Sequence, residues 1–251
     1  MNIKRIGVLI GLLILTVVVF FPSLKGGYLN WDDDMQILNN PDVLNLSFQS
    51  VKNYFTTFYV KSYQPLASLS FGLEYYFFGN NPLVPHSVNL IIHLLNIIVV
   101  YFLLINLVPK FKSLNVFIVA IFALHPLQGE LIGWVSTRST LIFSFFFLLS
   151  CLYYVKFLKK ENTSNKYLWC SLLFFVLALF SKASAIVLPF ILLLIDYLFE
   201  RKLSIKLLVE KIPFFIGSLA IGIISLVSRD VVDSESGFNT KYKLKAAIVL
   251  S

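Results

Sequence analysis

Three carboxylates in a row, Asp32, Asp33 and Asp34, follow an apolar segment that runs from Ile6 to Phe21. An ionised carboxylate can take the proton of an attacking hydroxyl, so an acidic cluster at the mouth of an apolar helix is a candidate general base. The same residues suit a solvated helix start, because Asp and Asn are favoured at N-caps and the helix dipole welcomes anions there. Both readings stay open on these residues alone.

Polar residues recur where an apolar chain can least accommodate them. His86, Asn89, His93 and Asn96 fall within an arc of about 80° when each residue turns about 100°. Such a stripe on an otherwise apolar helix should face protein or a water-filled cavity. It either gathers substrate or bonds one helix to another, and His86, nearest the acidic loop, is the stronger candidate for a pocket. Farther on, His125, Glu130 and Arg138 lie within one short connection, and Ser181-Lys182-Ala183 forms another. Arg138 and Lys182 are cations that could meet a lipid phosphate or snorkel to headgroups. Asp196, beside Glu200, Arg201 and Lys202, reads as an ion-pair residue. No ligand motif encodes a divalent metal, and a need for one stays open.

The elements that must position these residues are membrane helices. Of 251 residues, 58% are hydrophobic and only 14% charged, where a soluble domain has about 25% charged. Mean hydropathy is +0.81. A bilayer span needs about 20 apolar residues, which places spans at 6–22, 86–107, 114–126, 139–158, 167–181, 184–199 and 212–228. An eighth would begin near Leu244 and stop at Ser251, as in a truncated chain. The expected fold is therefore all-α, a polytopic membrane bundle of about seven or eight spans.

The net charge of +8 is read as loop bias rather than nucleic-acid binding. Lys4, Arg5, Lys110, Lys112, Lys156, Lys159, Lys160, Lys166, Arg201, Lys202, Lys206 and Lys211 all fall on one side, which the positive-inside rule makes cytoplasmic. The N-terminus is then inside, as an uncleaved anchor. A long first loop at 23–85 lies outside, with interfacial helices expected at Phe48–Tyr59 and Leu66–Phe78. Cys151 and Cys170 sit in apolar runs and form no disulfide framework.

The motifs occur in a recognisable order. Trp31-Asp32-Asp33 with Asn39 comes first, then Tyr63-Gln64-Pro65-Leu66, then His86, Asn89 and His93. His125-Pro126, Glu130, Trp134 and Arg138 follow, and Ser181-Lys182 precedes a span with Pro189 and Asp196. This order resembles the membrane part of the tetratricopeptide-repeat-associated, protein O-mannosyltransferase-like glycosyltransferases of the C-type fold. The chain departs from that pattern at Gln64, where Arg is common, and at Ser139-Thr140, where an Asp follows the arginine. Ala183 stands where some members carry Glu.

The resemblance implies a glycosyltransferase that moves a hexose, mannose-like, from a polyprenyl-phosphate donor to an extracytoplasmic hydroxyl of a protein or glycan, with inversion. It implies Asp32 and Asp33 as catalytic carboxylates, Arg138 and Lys182 on the donor phosphate, and Tyr63, Gln64, His86, Asn89, His125 and Glu130 around the pocket. The membrane would be a bacterial plasma membrane, or an ER-type membrane in a eukaryote. A transporter or flippase would instead place charges near the bilayer midplane, and a degenerate, non-catalytic member is the remaining alternative.

Overall fold

The structure, a computed structural model, describes residues 3–30, 32–59, 62–159, 165–202 and 204–235. Trp31, Lys160 and the expected eighth span lie outside the described residues.

The long apolar runs form long helices, and the breaks between them fall where the backbone chemistry demands. The first helix, α1 (Ile3–Phe20), continues as a 3-10 turn, Phe21–Lys25, with Pro22 near its start. The first loop then folds into a π-helical turn, Asp34–Leu38, and three α-helices, α2 (Pro41–Leu44), α3 (Phe48–Thr56) and α4 (Pro65–Phe78). Asn40 caps α2 by accepting from the Asp42 N–H at 3.1 Å, with Pro41 in the first helical position, where its missing N–H does no harm. Ser47 caps α3 through the Ser50 N–H at 3.1 Å.

Asp42 binds α2 to α3 and to the chain that follows it. Its carboxylate accepts from Asn53 Nδ2 at 2.9 Å and from the Tyr59 hydroxyl at 2.5 Å, while its carbonyl accepts from the Tyr54 hydroxyl at 2.5 Å. Val43, Tyr54, Ala67, Phe71 and Ile37 make an apolar core that includes Val135 from the far side of the chain. Helices are thus present in both stretches where interfacial helices are expected, as parts of a packed cap. The first of them ends at Thr56, because the chain turns through a bridge between Tyr59 and Ser62.

Behind the cap lie α5 (Leu83–Leu107), α6 (Lys112–Leu124), α7 (Leu127–Gly133), α8 (Arg138–Lys159), α9 (Asn165–Ser181), α10 (Leu188–Leu198) and α11 (Ile205–Glu235). Among the described residues four helices are long and apolar enough to cross a bilayer, at Ile6–Lys25, Leu83–Leu107, Val135–Lys159 and Ile205–Val227. A fifth span is formed if α6 and α7, bent by 50°, are taken together. The expected fifth and sixth spans are present as apolar helices, but α9 has 17 residues. At about 1.5 Å per residue that is roughly 25 Å, short of a hydrocarbon core of about 30 Å. The chain is a polytopic helical bundle with fewer full-length spans than its apolar runs imply.

Two apolar clusters hold the bundle. One joins α8, α9, α10 and α11 through Tyr154, Phe157, Phe175, Leu188, Leu192 and Phe214. The other joins α1, α5 and α6 through Leu9, Ile97, Val100, Tyr101, Val119 and Ala123. Between α8 and α9, Ser150 and Ser171 each donate a hydroxyl to the other's carbonyl, at 2.8 and 2.9 Å. Small residues of this kind let membrane helices approach closely. Beside the first cluster, Asp196 is buried and takes hydrogen bonds from the Tyr154 hydroxyl at 2.6 Å and Arg201 at 3.1 Å. Lys211 of α11 pairs with it at 2.7 Å. Asp196 is an ion-pair residue, and the pair ties the end of α10 to α11.

Candidate active site

The break between α6 and α7 explains three of the four polar residues in the stripe on α5. Pro126 has no N–H, and it holds His125 in an extended conformation, φ −60° and ψ 136°. The carbonyls at the end of α6 and along α7 lose their helical partners and need donors within the membrane. The α5 side chains supply them. His93 Nε2 lies 3.0 Å from the Ala123 carbonyl, and Asn89 Nδ2 donates to the carbonyls of Leu131 and Trp134 at 3.4 and 3.3 Å. His86 places Nδ1 3.4 Å from the Ile132 carbonyl and Nε2 3.3 Å from that of Gly27. Asn96 Nδ2 donates to the Leu141 carbonyl at 3.1 Å. All four stripe residues are buried and face protein. His86 belongs to this bonding rather than to a pocket.

Arg138 opens α8 and is 0% exposed. Nε donates to Asn89 Oδ1. One terminal nitrogen donates to Glu74 Oε1 and to the Ser70 hydroxyl at 3.1 Å. The other reaches Glu74 Oε2 at 3.3 Å and the Pro85 carbonyl at 2.8 Å. A guanidinium has five N–H donors, and all five are engaged. Its planar face lies 4.9 Å from the Phe71 ring centroid. In this arrangement no donor of Arg138 is left for a phosphate, and the residue clasps α4, α5 and α8 together.

Asp33 is likewise buried, at 0% exposure. Its Oδ1 accepts from the Ser136 N–H at 2.9 Å and from the Ser136 hydroxyl, and its Oδ2 accepts from the Leu29 N–H at 2.9 Å. It is neither a solvated cap nor a free base. It fastens the first loop to the 3-10 turn Val135–Thr137 that leads into α8.

Asp32 has a different setting. It lines a cavity of about 470 Å³ together with Gln36, Ser62, Gln64, Glu130, Trp134, Ser136, Thr140 and Lys182. The Lys182 ammonium donates to the Thr140 hydroxyl at 2.7 Å, and among the described residues no carboxylate lies within ion-pair distance of it. Burial holds Lys182 below the usual lysine range, because desolvation disfavours the charged form. Trp134 also lines the cavity, and its indole Nε1 is buried with no hydrogen-bond partner.

The structure thus brings together Asp32, Gln64, Glu130 and Lys182 from the sequence-derived set. It places Asp33, His86, Asn89 and Arg138 in the scaffold behind them. Tyr63 does not line the cavity; its hydroxyl donates to the Phe55 carbonyl at 3.1 Å, and its ring packs on Phe58 and Phe180. His125 is exposed and accepts from the Leu127 N–H at 3.2 Å, starting α7. Among the described residues no group of three or more His, Cys, Asp or Glu side chains converges as for a metal ion. Both cysteines are free.

Sequence reasoning missed Glu74, Trp134 and Thr140 as site or support residues. Glu74 is the one charged residue in α4, and an acid in an apolar helix calls for a cation. Trp134 belongs to the motif order, but nothing in the sequence shows that its N–H would be left open.

No protein-family profile matches the chain, and no solved structure matches it. Among curated proteins it is similar to protein O-mannosyl-transferase TMTC1 of Mus musculus, 33% identical over 148 residues that cover 55% of this chain and 16% of that one. It is 28% identical to TMTC4 of Mus musculus over 228 residues, covering 78% of this chain and 30% of that one. It is 29% identical to TMTC3 of Homo sapiens over 178 residues, covering 67% and 18%. The matched part therefore spans less than a third of these relatives. The likeness implied by the motif order, to membrane glycosyltransferases related to protein O-mannosyltransferases, is found in the alignments as well.

Proposed function

We propose that this chain carries the catalytic face of a membrane glycosyltransferase that takes a mannose-like hexose from a polyprenyl-phosphate donor and transfers it, with inversion, to a hydroxyl on an extracytoplasmic protein or glycan. The observation that carries the reading is one cavity lined by a half-buried carboxylate, Asp32, and a lysine without a carboxylate partner among the described residues, Lys182. The relatives, named as protein O-mannosyl-transferases, favour mannose and a protein acceptor.

The chemistry follows from these groups. Asp32 accepts the proton of the acceptor hydroxyl as its oxygen attacks the anomeric carbon. The new bond from carbon to acceptor oxygen forms as the bond from carbon to phosphate oxygen breaks on the opposite face, and polyprenyl phosphate leaves with the electron pair. Charge that develops on the phosphate is met by the Lys182 ammonium, already held by Thr140. Glu130 and Gln64, which line the same cavity, take sugar hydroxyls in this reading. Asp33 and Arg138 hold the walls of the cavity in register, so the pair of cations expected on the phosphate reduces to one.

The test is direct. Membranes containing the protein are offered a radiolabelled polyprenyl-phosphate mannose with hydroxyl-bearing peptide or glycan acceptors. Label should move to an acceptor with wild-type protein and fail to move with Asp32→Asn. No transfer by wild-type protein to any hydroxyl acceptor overturns the proposal.

A further inference from the structure

At the opposite end of α5 from the candidate active site lies a second cavity, of about 510 Å³, lined by Val8, Tyr101, Ile105, Lys112, Ser113 and Asn115 among others. Its volume falls in the range of small-ligand sites, about 300–1,000 Å³. Among the described residues none lines both cavities, so the two are distinct. This site stands independently of the proposed transferase activity.

Its chemistry is that of an anion receptor. Lys112 and Ser113 open α6, and the N-cap, Phe111, has no side chain able to cap the helix. The first-turn N–H groups and the positive end of the helix dipole are therefore uncompensated, and a phosphate is the usual occupant of such an end. Among the described residues no acidic side chain lines the cavity to oppose one. The second observation lies deeper. Tyr101 is only 2% exposed and Asn115 1%, yet the Tyr101 hydroxyl and Asn115 Oδ1 have no hydrogen-bond partner. The Asn115 amide orientation is fixed, because Nδ2 donates to the carbonyls of Leu104 and Val108 at 3.4 and 3.0 Å. A buried polar group without a partner is costly. The pair asks for a ligand that accepts from a phenol and also donates to an amide oxygen.

A phosphate diester carrying a hydroxyl or ammonium beyond it meets both demands. The cavity borders membrane-facing surface: Val8 on α1 is 48% exposed, and α1 and α5 are both long enough to span. Basic pockets between membrane helices take lipid head groups in this way. We propose that this cavity binds the phosphate headgroup of a membrane phospholipid, held by the start of α6, Lys112 and the Tyr101 hydroxyl.

The purified full-length chain in detergent is titrated with short-chain phosphatidylglycerol and, separately, with sodium phosphate, while thermal unfolding is followed. Phosphatidylglycerol should raise the unfolding temperature saturably, since a ligand of the folded state alone stabilises it by mass action, and sodium phosphate at equal concentration should not. Tyr101→Phe should unfold at the same or a higher temperature without lipid, because it removes an unsatisfied group, and should need about 3- to 10-fold more lipid for half the shift. Lys112→Gln should need about 10-fold more. Absence of a lipid shift in wild-type protein, or unchanged half-saturation in both variants, overturns the proposal. An equal response to sodium phosphate would assign the site to the free ion and overturn the headgroup. A lower unfolding temperature for lipid-free Tyr101→Phe would show that the hydroxyl already has a structural partner, and would overturn the proposal as well.

Discussion

The Asp33 carboxylate already accepts three hydrogen bonds, from the Leu29 N–H and from the N–H and hydroxyl of Ser136. Asp32, one residue earlier, lines the cavity. Two substitutions of equal size should therefore fail differently. Asp32→Asn should fold normally and lose roughly 10²–10⁴-fold in turnover, the usual contribution of a general base. Asp33→Asn turns an amide donor toward groups that also donate. Hydrogen bonds to charged groups contribute about 1.5–3 kcal/mol each, so that variant should unfold at a clearly lower temperature. Wild-type turnover in Asp32→Asn, measured with labelled donor, would remove the base assignment. Lys182 carries a prediction of a different kind. Only its ammonium form attracts phosphate, and burial lowers the pH at which that form is lost. The apparent KM for donor should rise with pH, and at lower pH than an ordinary lysine, near 10.4, would allow. Lys182→Arg stays charged throughout and should flatten the rise, whereas Lys182→Ala should weaken donor use by about 10- to 150-fold. A pH-independent KM in wild-type protein would leave the phosphate without its lysine.

At the scale of elements, one ion pair joins three helices. Arg138 at the start of α8 meets Glu74 of α4, the Pro85 carbonyl and Asn89 of α5. Glu74 is only 14% exposed, so removing its charge leaves a guanidinium buried and unpaired. Breaking such a pair costs about 3–5 kcal/mol. Glu74→Gln and Arg138→Met should each lower the unfolding temperature sharply. The double variant Glu74→Gln/Arg138→Met should recover part of the loss, because no lone charge remains. Additive losses in the double variant would show that the two residues act separately. This pair also marks where sequence reasoning stops. The periodicity of His86, Asn89, His93 and Asn96 on one face is legible, as is the break at His125-Pro126, since both are local properties of the chain. What the face meets is not local. Arg138 looks like a surface cation in sequence because Glu74, 64 positions earlier, gives no sign of which cation it will pair with. The helix positions were legible for the same reason the lengths were not: apolar runs reveal where a helix forms, while Pro126 and the turns around Lys182 and Leu188 decide how far each one extends.

Across the whole molecule, the cavity containing Asp32 and Lys182 is walled on one side by Gln36, Ser62 and Gln64 of the first loop, and the lipid-site candidate lies at the far end of α5, against Tyr101 and Ile105. The proposed chemistry needs the cap on the extracytoplasmic side, because a polyprenyl-phosphate sugar and its acceptor are to meet there. The basic residues favour that orientation: Lys110, Lys112, Lys156, Lys159 and Arg201 cluster at the ends of helices away from the cap, and such residues concentrate on the cytoplasmic side. Single cysteines decide the matter. Cys151 is buried and Cys170 partly so, so both are first replaced, as Cys151→Ala and Cys170→Ser, to give a silent background. Gln49 is an exposed residue of α3, and Asn165 is an exposed residue at the start of α9. In intact cells Gln49→Cys should react with a membrane-impermeant maleimide if the cap faces outward, and Asn165→Cys should react only after the membrane is permeabilised. For a protein residing in an internal membrane, sealed vesicles of that membrane take the place of cells, and the order reverses, because their outer face is cytoplasmic. Labelling in the opposite order would put Asp32 and Lys182 on the cytoplasmic side. The donor would then have to present its sugar to the cytoplasm, and transfer to an extracytoplasmic hydroxyl by this site would be physically impossible.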